Sequence, residues 1–293
     1  MIVVTTPTGQ IGRRVLDHLL DSGEPIRVVA RDPARLPDHV RARVEVVEGS
    51  HGDLAVVTEA FAGADAVFWL VAADPRAESL EAAFLDFTRP ACDALKNQGV
   101  ARVVGVSALG RGVARDAGHV SASLAMDDLI ASTGVSYRAL AMPSFMDNLL
   151  WQVESISNNG VFFGPVSGDR KAPTCATRDI AAVAARLLLD STWDGVADVP
   201  VLGPENLSQN DLAEIMSDVL GRPVRYQRVP MDAFRATQIE HGWSEAMAQG
   251  MVDMMAAKEA GLDNAEPRTP AATTPTTFRQ WCEEVLKPAV QGV

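Results

Sequence analysis

The first fourteen residues, MIVVTTPTGQIGRR, restrict what the chain can fold into more than any other stretch. Ile2 to Thr5 is apolar and β-branched and reads as a buried strand. A tight turn follows. An amphipathic helix then opens near Gln10, with Ile11, Val15, Leu16, Leu19 and Leu20 on its apolar side. The turn carries Thr6-x-x-Gly9-x-x-Gly12. This is the layout a nucleotide pyrophosphate needs. A glycine at position 9 lets backbone N–H groups approach the phosphates, and the helix N-terminus adds unpaired donors and a positive dipole end. Gly12, one turn in, lets the helix sit close to its strand. Thr8, Gln10 and Ile11 complete the loop expected to face the cofactor. Thr6 stands where the first glycine of the fingerprint belongs, so the match is imperfect.

The rest of the chain fits that opening. Strand-like and helix-like segments alternate: strands at Ile26–Ala30, Val44–Val47, Ala66–Val71, Val103–Ser107 and Tyr137–Ala141, and helices at Leu54–Phe61, Ser79–Gln98 and His119–Ser132. The strand Ala66–Val71 is apolar throughout, as a strand buried on both faces should be. The pattern predicts an α/β fold with a doubly wound, Rossmann-like parallel sheet. Residues 1–150 are expected to form this domain, joined by a returning helix (Thr177–Asp190) and strand (Val199–Leu202) within 176–202. Residues 151–293 are expected to form a smaller C-terminal substrate lobe. That lobe holds a helix at Asn148–Ser157, a capping box at Ser208-x-x-Asp211, and one methionine-rich helix at Met231–Gly261.

Composition excludes several partners. The chain has 293 residues, a net charge of −12 and no Lys/Arg cluster, which argues against nucleic acid. The longest apolar run, Ala66 to Ala73, is too short to span a bilayer. No signal peptide is visible, and Cys92, Cys175 and Cys282 are too far apart for a disulfide framework or a zinc site, so a reduced cytoplasm is expected. The oligomeric state is left open.

Ligands on such sheets bind at the carboxyl ends of the strands. At the end of the second strand an NAD-preferring protein carries an acidic residue. Here that place is Arg31, which suits a 2′-phosphate and hence NADP(H). A structural Arg31, paired with Asp32 or Asp53, would leave NADH as the alternative. Asp53 is expected beside the adenine, Leu70, Val71 and Ala72 along the cofactor, and Ser107 and Ala108 near the nicotinamide.

Several segments together resemble the NmrA-like, atypical branch of the short-chain dehydrogenase/reductase superfamily. They are PTGQIG, VVARDP, GDLAVVTEAFAGADAVF, STGVSY before PSFMDN, RDIAAVAARLLLD, and LGPENLSQNDLAEIMSDVLGRPV. The resemblance implies a Rossmann-type domain, a small substrate lobe and NADP(H). It also implies activities ranging from reduction of quinones, dyes and phenylpropanoids to redox sensing without turnover. The Tyr-x-x-x-Lys pair of the wider superfamily is missing: Tyr137 is followed by Ala141. Relatives lacking that pair carry a Lys on the helix before the sixth strand, and alignment on Gly134 puts that slot at Ser123. The usual Arg-Pro after the sixth strand is replaced by Ala141-Met142, with Pro143 following, while Phe145 and Asn148 keep the F-x-x-N spacing.

The candidates for chemistry are therefore His119, which titrates near neutrality, together with Ser123 and Asn148. Phe68, Trp69, Phe145, Trp151, Phe162, Phe163 and Trp243, with the methionines, are expected to favour an apolar, planar substrate. The function expected is an NADP(H)-dependent reductase of a small, largely apolar carbonyl, quinone or conjugated compound. The alternative is an NADP(H)-binding sensor that catalyses nothing.

Overall fold

A computed structural model of the chain describes residues 1–292. Twelve strands follow in chain order: β1 (Ile2–Thr5), β2 (Ile26–Ala30), β3 (Glu45–Glu48), β4 (Ala66–Trp69), β5 (Arg102–Ala108), β6 (Ser136–Met142), β7 (Ser144–Phe145), β8 (Val161–Gly164), β9 (Ala172–Cys175), β10 (Val196–Pro200), β11 (Asn206–Leu207) and β12 (Arg225–Arg228). Seven of them form the central sheet, in the order β10-β6-β5-β4-β1-β2-β3. β1 lies inside the sheet between β4 and β2, parallel to both, with Ile2 opposite Ile26 and Ala66. This is the dinucleotide-binding strand order, and the reversal of direction on either side of β1 opens a crevice at its carboxyl end.

The sheet is covered on both faces. Val3, Val29, Val67, Val103 and Ala139 share one buried cluster with Val57, Phe61, Ala91, Leu95, Met126 and Ile130, from the helices Leu54–Phe61, Phe87–Gln98 and His119–Ala131. Strand alternation sends Ile2 and Val4 to the opposite face, where they are equally buried. Each fully buried Val, Leu or Phe contributes roughly 1.5–3 kcal/mol, so these two layers dominate the stability of the unit.

The chain divides into two compact units. One comprises Met1–Ala108, Ala122–Ala141 and Ile180–Val199; the other comprises Leu109–Ser121, Met142–Asp179 and Pro200–Val293. The second unit is built from a three-stranded sheet (β11-β9-β7), a two-stranded sheet (β12-β8) and several helices. Its core gathers Met146, Ile156, Phe162, Leu212, Met216, Phe278, Trp281 and Leu286.

Several elements differ from the sequence expectation. The edge strand is Val196–Pro200, not Val199–Leu202. Its first three residues are exposed, so it has no apolar run to announce it. Leu202 instead bonds with the backbone of Ala272 and Thr274. The methionine-rich segment is two helices, Met231–Glu240 and Glu245–Glu259, separated at Gly242 (φ 86°), with the Ser244 side chain capping the second. A 3-10 segment, Met146–Gln152, precedes the helix Val153–Asn159. The short strands β7, β8 and β9 gave no sequence signal. The capping box is present: Ser208 Oγ accepts from the Asp211 N–H, and Asp211 accepts from the Ser208 N–H.

All three cysteines are buried and free, and burial raises their thiols, to about 11 for Cys92 and about 12 for Cys282. Among the described residues, no helix is long and apolar enough to cross a membrane, and no group of side chains could hold a metal ion.

Candidate functional site

The tip of β1 is tied to the tip of β4 by Thr5. Its hydroxyl donates to Phe68 O at 2.9 Å and accepts from Leu70 N–H at 3.2 Å. Leu70 thereby leaves the strand ladder, and its carbonyl meets His51 Nε2 at 3.0 Å. This is why β4 stops at Trp69, short of the Val71 expected. Leu70 and Val71 are half-buried and Ala72 is exposed.

The turn after β1 takes an unusual form. Thr6 has φ 56°, in the left-handed region that a β-branched residue enters only under strain. A threonine thus adopts the conformation that a fingerprint glycine would take freely. The Gly9 N–H donates to Thr6 O at 3.1 Å and closes the turn. Gly12 is required by proximity, since a Cβ there would lie 2.1 Å from Thr6 O and 2.8 Å from Thr6 C. The helix Gln10–Leu19 begins from Gly9 with no side-chain cap and no acidic residue in its first turn, so no side chain satisfies its leading N–H groups. Thr6 Oγ1 is buried without a partner, as is Arg14 Nε. Thr8 is half-buried, Gly9 and Gln10 are exposed, and Ile11 is buried. The turn combines uncapped donors, an orphaned hydroxyl and a cradle that a Cβ would fill, and so fits a phosphate-bearing cofactor.

At the end of β2, Arg31 is exposed and makes no ion pair or hydrogen bond among the described residues. Its two suspected partners are otherwise engaged. Asp32 accepts from the Ala34 N–H at 3.1 Å, and Asp53 caps the helix Leu54–Phe61 by accepting from the Ala55 and Val56 N–H groups. Near it lies a histidine the sequence did not single out. His51 is packed edge-on against Trp69 and Phe87, with ring centroids 5.2 and 4.8 Å apart. Burial pushes its pKa down to about 4; the bond to Leu70 O opposes this and the charge of Arg31 adds to it.

At the end of β5, Ser107 is buried and donates a short hydrogen bond to Asp127 Oδ2. Tyr137 donates to Asp127 Oδ1 at 2.6 Å. Ala108 beside it is half-buried. Asp127 escaped notice because the Asp127-Asp128 pair in a helix reads as solvated; its place four residues after Ser123, hence on the same helix face, was the available signal. Ser123 is itself buried.

His119 opens the helix His119–Ala131. Its Nε2 lies 3.0 Å from Met247 O, and its ring meets Trp243 edge-on at 6.1 Å. Burial lowers its pKa. One ring nitrogen is thus engaged by a carbonyl, which anchors the start of this helix on the helix Glu245–Glu259. Pro143 is buried just after β6, whereas Asn148 is exposed on the 3-10 segment. The aromatic residues do not form one roof: Phe68, Trp69 and Phe162 are core, while Trp151 is 80% exposed.

A family model described as NAD(P)H-binding matches residues 7–191. The chain belongs to this NAD(P)H-binding family. The match runs from the glycine turn through the helix Thr177–Leu189, and it agrees with the resemblance to NmrA-like, atypical short-chain dehydrogenases/reductases. The chain is 34% identical over 237 residues to (4-alkanoyl-5-oxo-2,5-dihydrofuran-3-yl)methyl phosphate reductase of Streptomyces griseus, covering 80% of this chain and 79% of the relative. It is 28% identical to the NAD(P)H azoreductase of Xenophilus azovorans, over 87% of this chain and 86% of that one. In fold it is similar to the NADPH-dependent quinone oxidoreductase 2 of Escherichia coli, solved with NADPH, with a TM-score of 0.77, 23% identity and coverage of 100% of this chain and 99% of that one. The Citrobacter sp. triphenylmethane reductase, solved with NADP(H), gives a TM-score of 0.79 at 18% identity, over 100% and 99% of the two chains.

Proposed function

We propose that the protein is an NADP(H)-dependent reductase of a small, largely apolar carbonyl, quinone or otherwise conjugated compound. The observation that carries this is the turn Thr6–Gly12, with its uncapped helix and orphaned Thr6 hydroxyl, in a chain whose relatives are named as reductases. Thr6, Thr8, Gly9, Gln10, Ile11 and Gly12 would hold the pyrophosphate, Arg31 the 2′-phosphate, and Leu70, Val71, Ala72, Ser107 and Ala108 the remainder toward the nicotinamide. The bound cofactor supplies a hydride. The chain's task is to orient that end of the cofactor and exclude water from it.

The acceptors named for the relatives include an azo group and an unsaturated lactone. Both are conjugated electrophiles. Such a product takes its proton from solvent, so the missing Tyr-x-x-x-Lys pair costs little, and no residue of this chain need be the acid.

Two experiments test the reading. NADPH oxidation is followed against quinones, azo dyes, enones and simple ketones; turnover of a conjugated member is expected, whereas tight NADPH binding without turnover of any of them would favour the sensor. In the second, Arg31→Asp is expected to weaken NADPH binding by roughly 1.5–3 kcal/mol, the worth of a charged hydrogen bond, and to leave NADH binding nearly unchanged. Unaltered NADPH affinity would remove Arg31 from the site.

A further inference from the structure

Asp127 is 1% exposed, and its two carboxylate oxygens are divided between two hydroxyls, Ser107 on Oδ2 and Tyr137 on Oδ1. Tyr137 is fully buried and reaches Asp127 only because residue 105 is glycine; a Cβ there would lie 2.1 Å from the tyrosine oxygen. Stability does not explain this arrangement, since well-packed apolar residues commonly do as well as buried charged groups. Its effect falls on Ser107.

A hydroxyl has one proton and two acceptor lone pairs. The proton of Ser107 is committed to Asp127, so toward any ligand Ser107 offers only lone pairs. It can accept a hydrogen bond there but cannot give a proton. Ser107 is the last residue but one of β5, at the carboxyl end where such sheets bind ligands. The hydrogen-bond donor at the reactive end of the cofactor is the carboxamide NH2 of the nicotinamide ring.

We infer that Asp127 is a positioning residue that fixes Ser107 as the acceptor for the nicotinamide carboxamide, with Tyr137 holding the carboxylate in place. This rests on the reading of the protein as an NADP(H)-binding reductase. It assigns the buried carboxylate to orienting the hydride-bearing ring, not to proton supply.

The test compares two ligands, NADPH and 2′-phospho-ADP-ribose, which lacks the nicotinamide. Binding is measured by calorimetry for the wild type, Ser107→Ala, Asp127→Asn and Tyr137→Phe, with circular dichroism as the check on folding. An asparagine has one acceptor oxygen and cannot serve both hydroxyls. Ser107→Ala and Asp127→Asn are expected to lose about tenfold in affinity for NADPH, the worth of one hydrogen bond, and almost nothing for 2′-phospho-ADP-ribose. Tyr137→Phe should show a smaller loss of the same kind. Equal losses for both ligands, or no loss of NADPH binding in Ser107→Ala, would overturn the inference. Should Asp127→Asn fail to fold, Ser107→Ala and Tyr137→Phe decide together, and wild-type NADPH affinity in Tyr137→Phe would overturn the positioning role of Asp127. A wild type that bound neither ligand would overturn the cofactor reading, and this inference with it; one that bound 2′-phospho-ADP-ribose as tightly as NADPH would overturn the inference and spare that reading.

Discussion

Gly12→Ala is expected to weaken NADPH binding by at least about 100-fold, which corresponds to about 2.7 kcal/mol. The added Cβ would lie 2.1 Å from Thr6 O, a backbone atom that cannot swing aside as a side-chain tip can. Either the helix Gln10–Leu19 moves off β1 or the turn opens. In both cases the Gly9 N–H loses its bond to Thr6 O, and the leading N–H groups no longer converge. Overpacking should also lower stability by about 1–3 kcal/mol. Fluorescence titration with NADPH and urea unfolding measure the two effects separately. Wild-type affinity in a folded Gly12→Ala protein would show that the phosphates bind elsewhere.

The second large effect is on acid stability. His51 is held neutral in the folded protein, with a pKa of about 4 against 6.5 for the free side chain. Below pH 6.5 the unfolded chain takes up a proton that the folded chain refuses, so stability falls as pH drops. The loss runs from about pH 6.5 to about pH 4 and then levels off, and His51 accounts for roughly 3 kcal/mol of it. His119, lowered by burial, acts in the same direction. His51→Gln retains a donor for Leu70 O and has no charge to gain, so its unfolding free energy should vary much less between pH 6.5 and 4. Identical pH profiles for wild type and variant would show that His51 takes up its proton as readily in the folded state as in the unfolded one.

The fold was legible where periodicity and burial agree. β1, β2 and the helix Leu54–Phe61 lie where the apolar pattern puts them, because a strand buried on both faces and a helix with one dry side leave clear signatures. The edge strand Val196–Pro200 was misplaced because its exposed residues carry no such signature. The methionine-rich segment was read as a single helix because only the turn at Gly242 divides it. The glycine turn could be read from spacing alone, but the left-handed Thr6 could not, since a threonine gives no notice of a positive φ. The β5 site was half legible. Ser107 follows from its place at a strand end, whereas Asp127 and Tyr137 join it from distant segments through contacts that no local pattern encodes. His119 was drawn in by the ordinary pKa of an imidazole, which burial lowers here, and its bond to Met247 O joins it to a segment far along the chain that no local pattern encodes.

The proposed reaction is hydride donation from NADPH to a conjugated acceptor. The most direct measurement is the rate of cofactor oxidation at a fixed concentration of a quinone, with NADPH and NADH varied in parallel. The predicted result is saturable turnover with kcat/KM at least about tenfold higher for NADPH, since Arg31 meets a charge that NADH lacks. Equal kcat/KM for the two cofactors would contradict the role of Arg31, and no oxidation of either cofactor by a protein that binds NADPH tightly would contradict the reductase itself.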